Sequence, residues 1–140
     1  MTEDARLVVG IHVPVAWGEQ DLFGHVNNIV YFRYFESVRM HYLDRIGVLR
    51  SHAERGQGVI LASTTCDFLR PVAWPHSLHV RTGTSKVGNT SFTMIYRITD
   101  EQDRVVAKGS SVLVMYDYNT AQKMPIPKGI REAIATLQLP

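Results

Sequence analysis

From Asp21 to Asn28 the chain reads DLFGHVNN, and these eight positions hold an acid, a glycine, a histidine and two asparagines. An acid just ahead of a glycine-containing turn and a helix start can carry chemistry at an acyl carbon. Such chemistry builds negative charge on a former carbonyl oxygen and needs a better nucleophile than neutral water. A helix N-terminus supplies unpaired N–H donors and about half a positive charge. Gly24 lets backbone approach a substrate with no side chain between. Asp21 can activate water as a general base or attack the carbonyl itself, and the sequence does not separate these routes. The same letters also suit a bland reading, in which Asp21 closes a turn or pairs with an arginine.

The neighbouring side chains divide in the same way. His25 is a candidate acid or base by residue type, and either touches substrate or water or packs the loop. Asn27 suits a helix N-cap better than a ligand. Tyr31, Phe32, Tyr34 and Phe35 belong to a core, with one or two free to line a pocket. His76 and His79 lie three apart in a predicted strand and so face opposite sides. No cysteine or paired acid joins the histidines at ligand spacing, so no metal is expected. Cys66 is the only cysteine, which excludes an internal disulfide and points to a reducing, cytoplasmic setting. It reads as a small buried apolar residue, without an orienting partner in sequence.

Several elements must hold these residues in place. Val9, Ile11, Val13 and Val15 alternate within a strand over Leu7 to Trp17, with Pro14 marking an edge or an end. A helix over Asn28 to Ile46 follows, about 28 Å long at 1.5 Å per residue. Its apolar stripe runs through Ile29, Phe32, Phe35 with Tyr31, Val38, Tyr42 with Leu43, and Ile46. Gly47 stops it. Val48 to Gly58 is polar and irregular or briefly helical. Strands are expected over Val59 to Leu69, His76 to Val87, Ser91 to Thr99 and Arg104 to Tyr116, and a short helix over Lys128 to Leu137. The fold class is α+β, with one antiparallel sheet of five strands wrapped around one long helix.

Composition sets the outer bounds. At 140 residues, residues 1–140 form one domain large enough for a real core. Net charge is +2 with no basic run, so no nucleic acid is expected as a partner. No apolar run approaches the roughly 20 residues of a membrane span.

The strand, long helix and four further strands, with Asp21-Leu22-Phe23-Gly24-His25-Val26-Asn27-Asn28 ahead of Tyr31 and Glu36, resemble the hotdog-fold acyl-CoA thioesterases. The similarity is greatest to the 4-hydroxybenzoyl-CoA thioesterase type. Val87 to Phe92, Val106 to Gly109 and Met124 to Pro127 are similar to other segments of that family. The resemblance implies hydrolysis of an acyl-CoA thioester with Asp21 catalytic and no cofactor. It implies that the Asn28 backbone N–H, seven residues after Asp21, polarises the carbonyl. Gly24 and His25 complete the site, and Tyr31 lines the acyl pocket. A related hotdog group carries its carboxylate on the central helix, which makes Glu36 a runner-up; pairing with Arg33 or Arg39 is its structural alternative. Family members are homodimers or homotetramers with the acyl site between subunits. Their CoA phosphates lie near the sheet turns, which directs attention to Lys86, Asn89 and Ser91, with Arg70 and Arg81 behind them. Two alternatives stay open: an acyl-ACP thioesterase, and a non-catalytic acyl-thioester-binding module. Hydration of an enoyl thioester would need a different acid and histidine pattern, which is not found.

Overall fold

The computed structural model describes residues 2–139. The chain opens with a helical turn, α1 (Glu3–Arg6), and a strand, β1 (Val9–Pro14). The long helix α2 (Asn28–Arg45) and a shorter one, α3 (Val48–Arg55), come next. Four strands follow: β2 (Gln57–Phe68), β3 (Ser77–Val87), β4 (Ser91–Thr99) and β5 (Val105–Asp117). A two-residue strand, β6 (Gln122–Lys123), and the helix α4 (Lys128–Leu137) complete it. The five long strands form one sheet in the order β1-β3-β4-β5-β2, every pair antiparallel. The expectation of five strands is thus met, with β6 as a small addition on the far end of β5.

Two features of α2 were readable in its ends. Asn27 caps it, its side-chain oxygen accepting the Ile29 N–H at 3.0 Å. Gly47, at φ +87°, turns the chain out of the helix in the left-handed conformation that a β-carbon would strain. The buried stripe differs from the expected one. It consists of pairs four residues apart: Val30 and Tyr31, Tyr34 and Phe35, Val38 and Arg39, Tyr42 and Leu43. Ile29, assigned to the stripe from its hydrophobicity, is 68 % exposed. The cause is chemical. Tyr34, Tyr42 and Arg39 are buried here with polar tips that find partners, so apolarity alone misplaces the face. The Phe35 ring stacks on Tyr96 of β4 at 4.5 Å, and the Tyr96 hydroxyl accepts from the buried Arg39 guanidinium at 3.2 Å.

β2 and β3 follow each other in sequence yet are separated in the sheet by β5 and β4. The segment between them, residues 69–76, must therefore cross from one part of the sheet to another. On its way it passes the N-terminus of α2, where the Val72 carbonyl accepts from Val26 at 2.7 Å. The Trp74 N–H donates to the Gln20 side chain at 3.0 Å. This crossing forms one wall of the site.

Candidate active site

The loop ahead of α2 is held before any substrate arrives. Its start is a 3-10 turn, Trp17–Glu19, whose Glu19 carboxylate accepts the Ala16 N–H at 2.7 Å and the Tyr34 hydroxyl at 2.8 Å. The Asn27 N–H donates to the Glu19 carbonyl at 2.9 Å. Glu19 therefore ties the loop to both its own start and the helix. Within the loop, the Gly24 N–H donates to the Asp21 carbonyl at 3.0 Å, and Gly24 takes φ +78°. The tip is closed as a β-turn that only glycine adopts without strain.

Asp21 is exposed, and one of its oxygens, Oδ1, accepts the Phe23 N–H at 2.9 Å. The other, Oδ2, has no partner among the described residues, and no cation lies within ion-pair distance. The turn-capping reading is thus half right: one oxygen caps and one is free, and no arginine is paired with the acid. The amides at the helix start are similarly divided. Ile29 donates to the Asn27 side chain and Val30 to the Asn27 carbonyl, at 3.0 and 2.9 Å. The Asn28 N–H has no acceptor among the described residues. It is the donor that the cap leaves over.

A cavity of about 340 Å³ gathers Asp21, His25, Asn28 and Tyr31 with Phe68, Leu69, Arg70 and Pro71. Four residues singled out in the sequence thus meet in one place. Gly24 shapes the loop without lining the cavity. His25 also borders a smaller space of about 170 Å³ that holds His76, Asp100 and Arg104. Among the lining residues, the Tyr31 and Phe68 rings meet edge to face at 5.1 Å. Burial first, then the neighbouring Cys66, pushes the Tyr31 phenol above its ordinary range. Cys66 is half-buried, and burial, then Asp67, pushes its thiol up to about 11.

Glu36 lies two turns along α2, its carboxylate 4.0 Å from the Arg39 guanidinium, and does not line this cavity. Lys86, Asn89 and Ser91 lie at the other end of the sheet. Asp100, just past the near end of β4, shares a space with His25, whereas Ser91 begins that strand roughly 31 Å away at ~3.4 Å per residue. Lys86 faces α4, beside Arg131 and Gln138. One chain does not bring these three residues to Asp21. Arg70, ranked behind them in the sequence, is the cation that lines the cavity, while Arg81 reaches Asp4 at 3.4 Å. The sequence reading missed Glu19 as the loop's anchor and Phe68, Leu69 and Pro71 as walls. Their only signal was the Arg70-Pro71 end of a strand. Among the described residues, no group of three or more His, Cys, Asp or Glu gathers as a metal site requires.

Against known proteins, the model of the Thioesterase-like superfamily matches residues 15–134. The chain belongs to that superfamily. This thioesterase-like chain is 33 % identical to the uncharacterized protein YsmA of Bacillus subtilis over 102 residues, 73 % of this chain and 68 % of YsmA. It is 27 % identical to the acyl-acyl carrier protein thioesterase ATL2 of Arabidopsis thaliana, over 91 % of this chain and 69 % of ATL2. A Thermus thermophilus thioesterase, solved with coenzyme A and Zn, superposes with a TM-score of 0.84 at 30 % identity. That superposition covers 95 % of this chain and 96 % of the other. The curled antiparallel sheet around α2 is the hotdog fold, and the superfamily together with the thioesterase structure it matches supports thioester hydrolysis as the reaction class. No helix among the described residues is long and apolar enough to cross a membrane.

Proposed function

We propose that this protein hydrolyses acyl-CoA thioesters at the cavity between the Asp21 loop and the start of α2. The observation that carries the reading is the pairing of two unused groups at one cavity. One is the Asp21 Oδ2; the other is the Asn28 N–H, left free by its own N-cap. The thioester carbonyl oxygen points at the Asn28 N–H, which stabilises the charge that develops there by about 3–4 kcal/mol. Asp21 Oδ2 takes a proton from water as the water oxygen bonds to the carbonyl carbon. The C–S bond then breaks, and the proton passes to the departing sulfur, giving free acid and CoA thiol. In the alternative route the same oxygen attacks the carbonyl carbon and the C–S bond breaks to release CoA thiolate; water then cleaves the acyl-aspartyl anhydride to the free acid and Asp21. The test is thiol release across aliphatic and aromatic acyl-CoAs, beside Asp21→Ala. Near-wild-type turnover in that variant on the best substrate refutes the assignment of Asp21.

The pantetheine arm leaves past Arg70, whose guanidinium suits a phosphate. Lys86, Asn89 and Ser91 serve CoA only when presented by another chain. β2 offers a route to such a pair, since it is a sheet edge of 12 residues with Ile60 and Leu61 exposed. Antiparallel pairing of two β2 edges sets the Phe68 end of one chain beside the Gln57 end of the other. A homodimer, alone or doubled into a homotetramer, is the expected form, in a cytoplasmic setting.

The relationship to ATL2 favours one second reading, acyl-ACP as the carrier. Comparing acyl-CoA with acyl-ACP of equal chain length decides between them.

A further inference from the structure

Four tyrosines are buried, and three of them have paired hydroxyls. Tyr34 donates to Glu19 at 2.8 Å, Tyr42 to Gln138 at 2.9 Å, and Tyr96 accepts from Arg39 at 3.2 Å. Tyr31 is the fourth. It is 3 % exposed, and its hydroxyl has no partner among the described residues. Nor is that oxygen sealed away: the sealed, unpartnered polar side-chain atoms among the described residues belong to Ser51, Arg81 and Thr99. What the Tyr31 hydroxyl meets is the cavity it lines with Asp21 and Asn28. A phenol that opens on a cavity without a protein partner is free to exchange solvent for a ligand oxygen, which suits it to a ligand that completes the pair.

Its position says which part of a ligand it meets. Tyr31 stands three residues beyond Asn28 on α2, roughly 4.5 Å along the axis at ~1.5 Å per residue. If the thioester carbonyl sits at the Asn28 N–H, as proposed above, the Tyr31 hydroxyl lies deeper, on the acyl side. The ring is fixed there by edge-to-face contacts with Phe68 at 5.1 Å and Tyr34 at 6.1 Å. Phe68 and Leu69 supply apolar wall around it. Because the phenol stays protonated at neutral pH, it can donate a hydrogen bond.

We infer that Tyr31 is a specificity-determining residue, and that its hydroxyl selects acyl groups carrying an oxygen substituent beyond the thioester carbonyl. A plain alkyl or aryl chain fills the same space and leaves the phenol unpaired, whereas a hydroxyl or keto oxygen accepts from it. This inference rests on the proposed orientation of the thioester.

Two matched pairs test it: butyryl-CoA against 3-hydroxybutyryl-CoA, and phenylacetyl-CoA against 4-hydroxyphenylacetyl-CoA. Steady-state kcat/KM and calorimetric Kd are measured for wild type and Tyr31→Phe, which keeps the ring and its packing. The wild type is expected to favour the hydroxylated member of at least one pair by about five- to tenfold, the size of one neutral hydrogen bond. Tyr31→Phe brings that ratio close to one, with an unchanged melting temperature. A wild type without preference in either pair, or a preference that survives Tyr31→Phe, overturns the inference. Preference in Kd without thiol release from any substrate refutes the thioesterase reading and leaves this one standing. Failure to bind any of the four overturns both.

Discussion

The backbone N–H of Asp21 donates to the carbonyl of His25 at 2.9 Å, closing the loop that carries the acid across its own neck. The carboxylate is therefore positioned by backbone and by its own bond to Phe23, independently of any second side chain. Asp21→Asn keeps an oxygen for the Phe23 N–H but loses the base. Its turnover should fall at least about a hundredfold, the lower end for a general base, with melting temperature and oligomeric state unchanged. After a single turnover in ¹⁸O-water, label in Asp21 demonstrates an anhydride cleaved at the aspartyl carbonyl, whereas direct attack by water places label in the acid alone.

Gly24 isolates backbone strain from packing. A β-carbon there meets no atom within 4 Å, yet the residue sits at φ +78°. Gly24→Ala should cost about 1–2 kcal/mol in denaturant unfolding, and Gly24→Asn less, because asparagine tolerates that conformation better. Turnover should follow the same ranking if loop geometry sets the position of Asp21.

The Cys66 thiol is pushed up to about 11 by burial and by Asp67. At about pH 8 only roughly a thousandth of it is thiolate, against about a quarter for an unperturbed thiol. Iodoacetamide should label it far more slowly than a free cysteine, and the rate should climb steadily to about pH 11. Rapid labelling at neutral pH in the folded protein contradicts this.

His12 on the edge strand β1 and its cross-strand partner His79 on β3 stack at 4.5 Å. Burial, then His12 and Arg81, lowers the His79 value from 6.5, with Asp103 acting the other way. The unfolded chain therefore binds this proton more readily than the folded one. Stability from His79 is present above 6.5 and declines as pH falls below it. The melting temperature should drop between about pH 7 and about pH 5, and His79→Gln should shrink that drop.

Tyr42 joins α2 to the end of α4. Its hydroxyl donates to Gln138 at 2.9 Å and accepts from Thr84 at 2.7 Å, while the Thr84 N–H reaches the same Gln138 oxygen at 2.8 Å. Tyr42→Phe leaves the Thr84 hydroxyl buried and unpaired, and should cost about 1–3 kcal/mol in denaturant unfolding.

What the sequence disclosed follows from how local each signal is. β4 and α4 have the expected bounds, since a turn at either end and a short period define them. The cap at Asn27 and the stop at Gly47 were legible because each depends on a few adjacent residues. Ile29 was misplaced because the buried face of α2 is shifted toward Arg39 and Tyr42, whose polar tips pair with Tyr96 and Gln138, partners distant in sequence. Asp21, His25, Asn28 and Tyr31 were recognisable as neighbours along one short stretch. Phe68 to Pro71 were not, since only the crossing from β2 to β3 brings them to that stretch. The placement of Lys86, Asn89 and Ser91 is likewise a matter of sheet length, which no local pattern records.

The two borders of the sheet are unlike. β1 is six residues long and ends in Pro14, which lacks an N–H, whereas β2 presents 12 residues with no proline. A sheet adhesive on both borders would recruit copies one after another into an open ribbon. With one border blunted, any association through the sheet would terminate itself after a single addition. A single proline at the end of β1 thus bears on whether this chain forms a finite particle or a fibre.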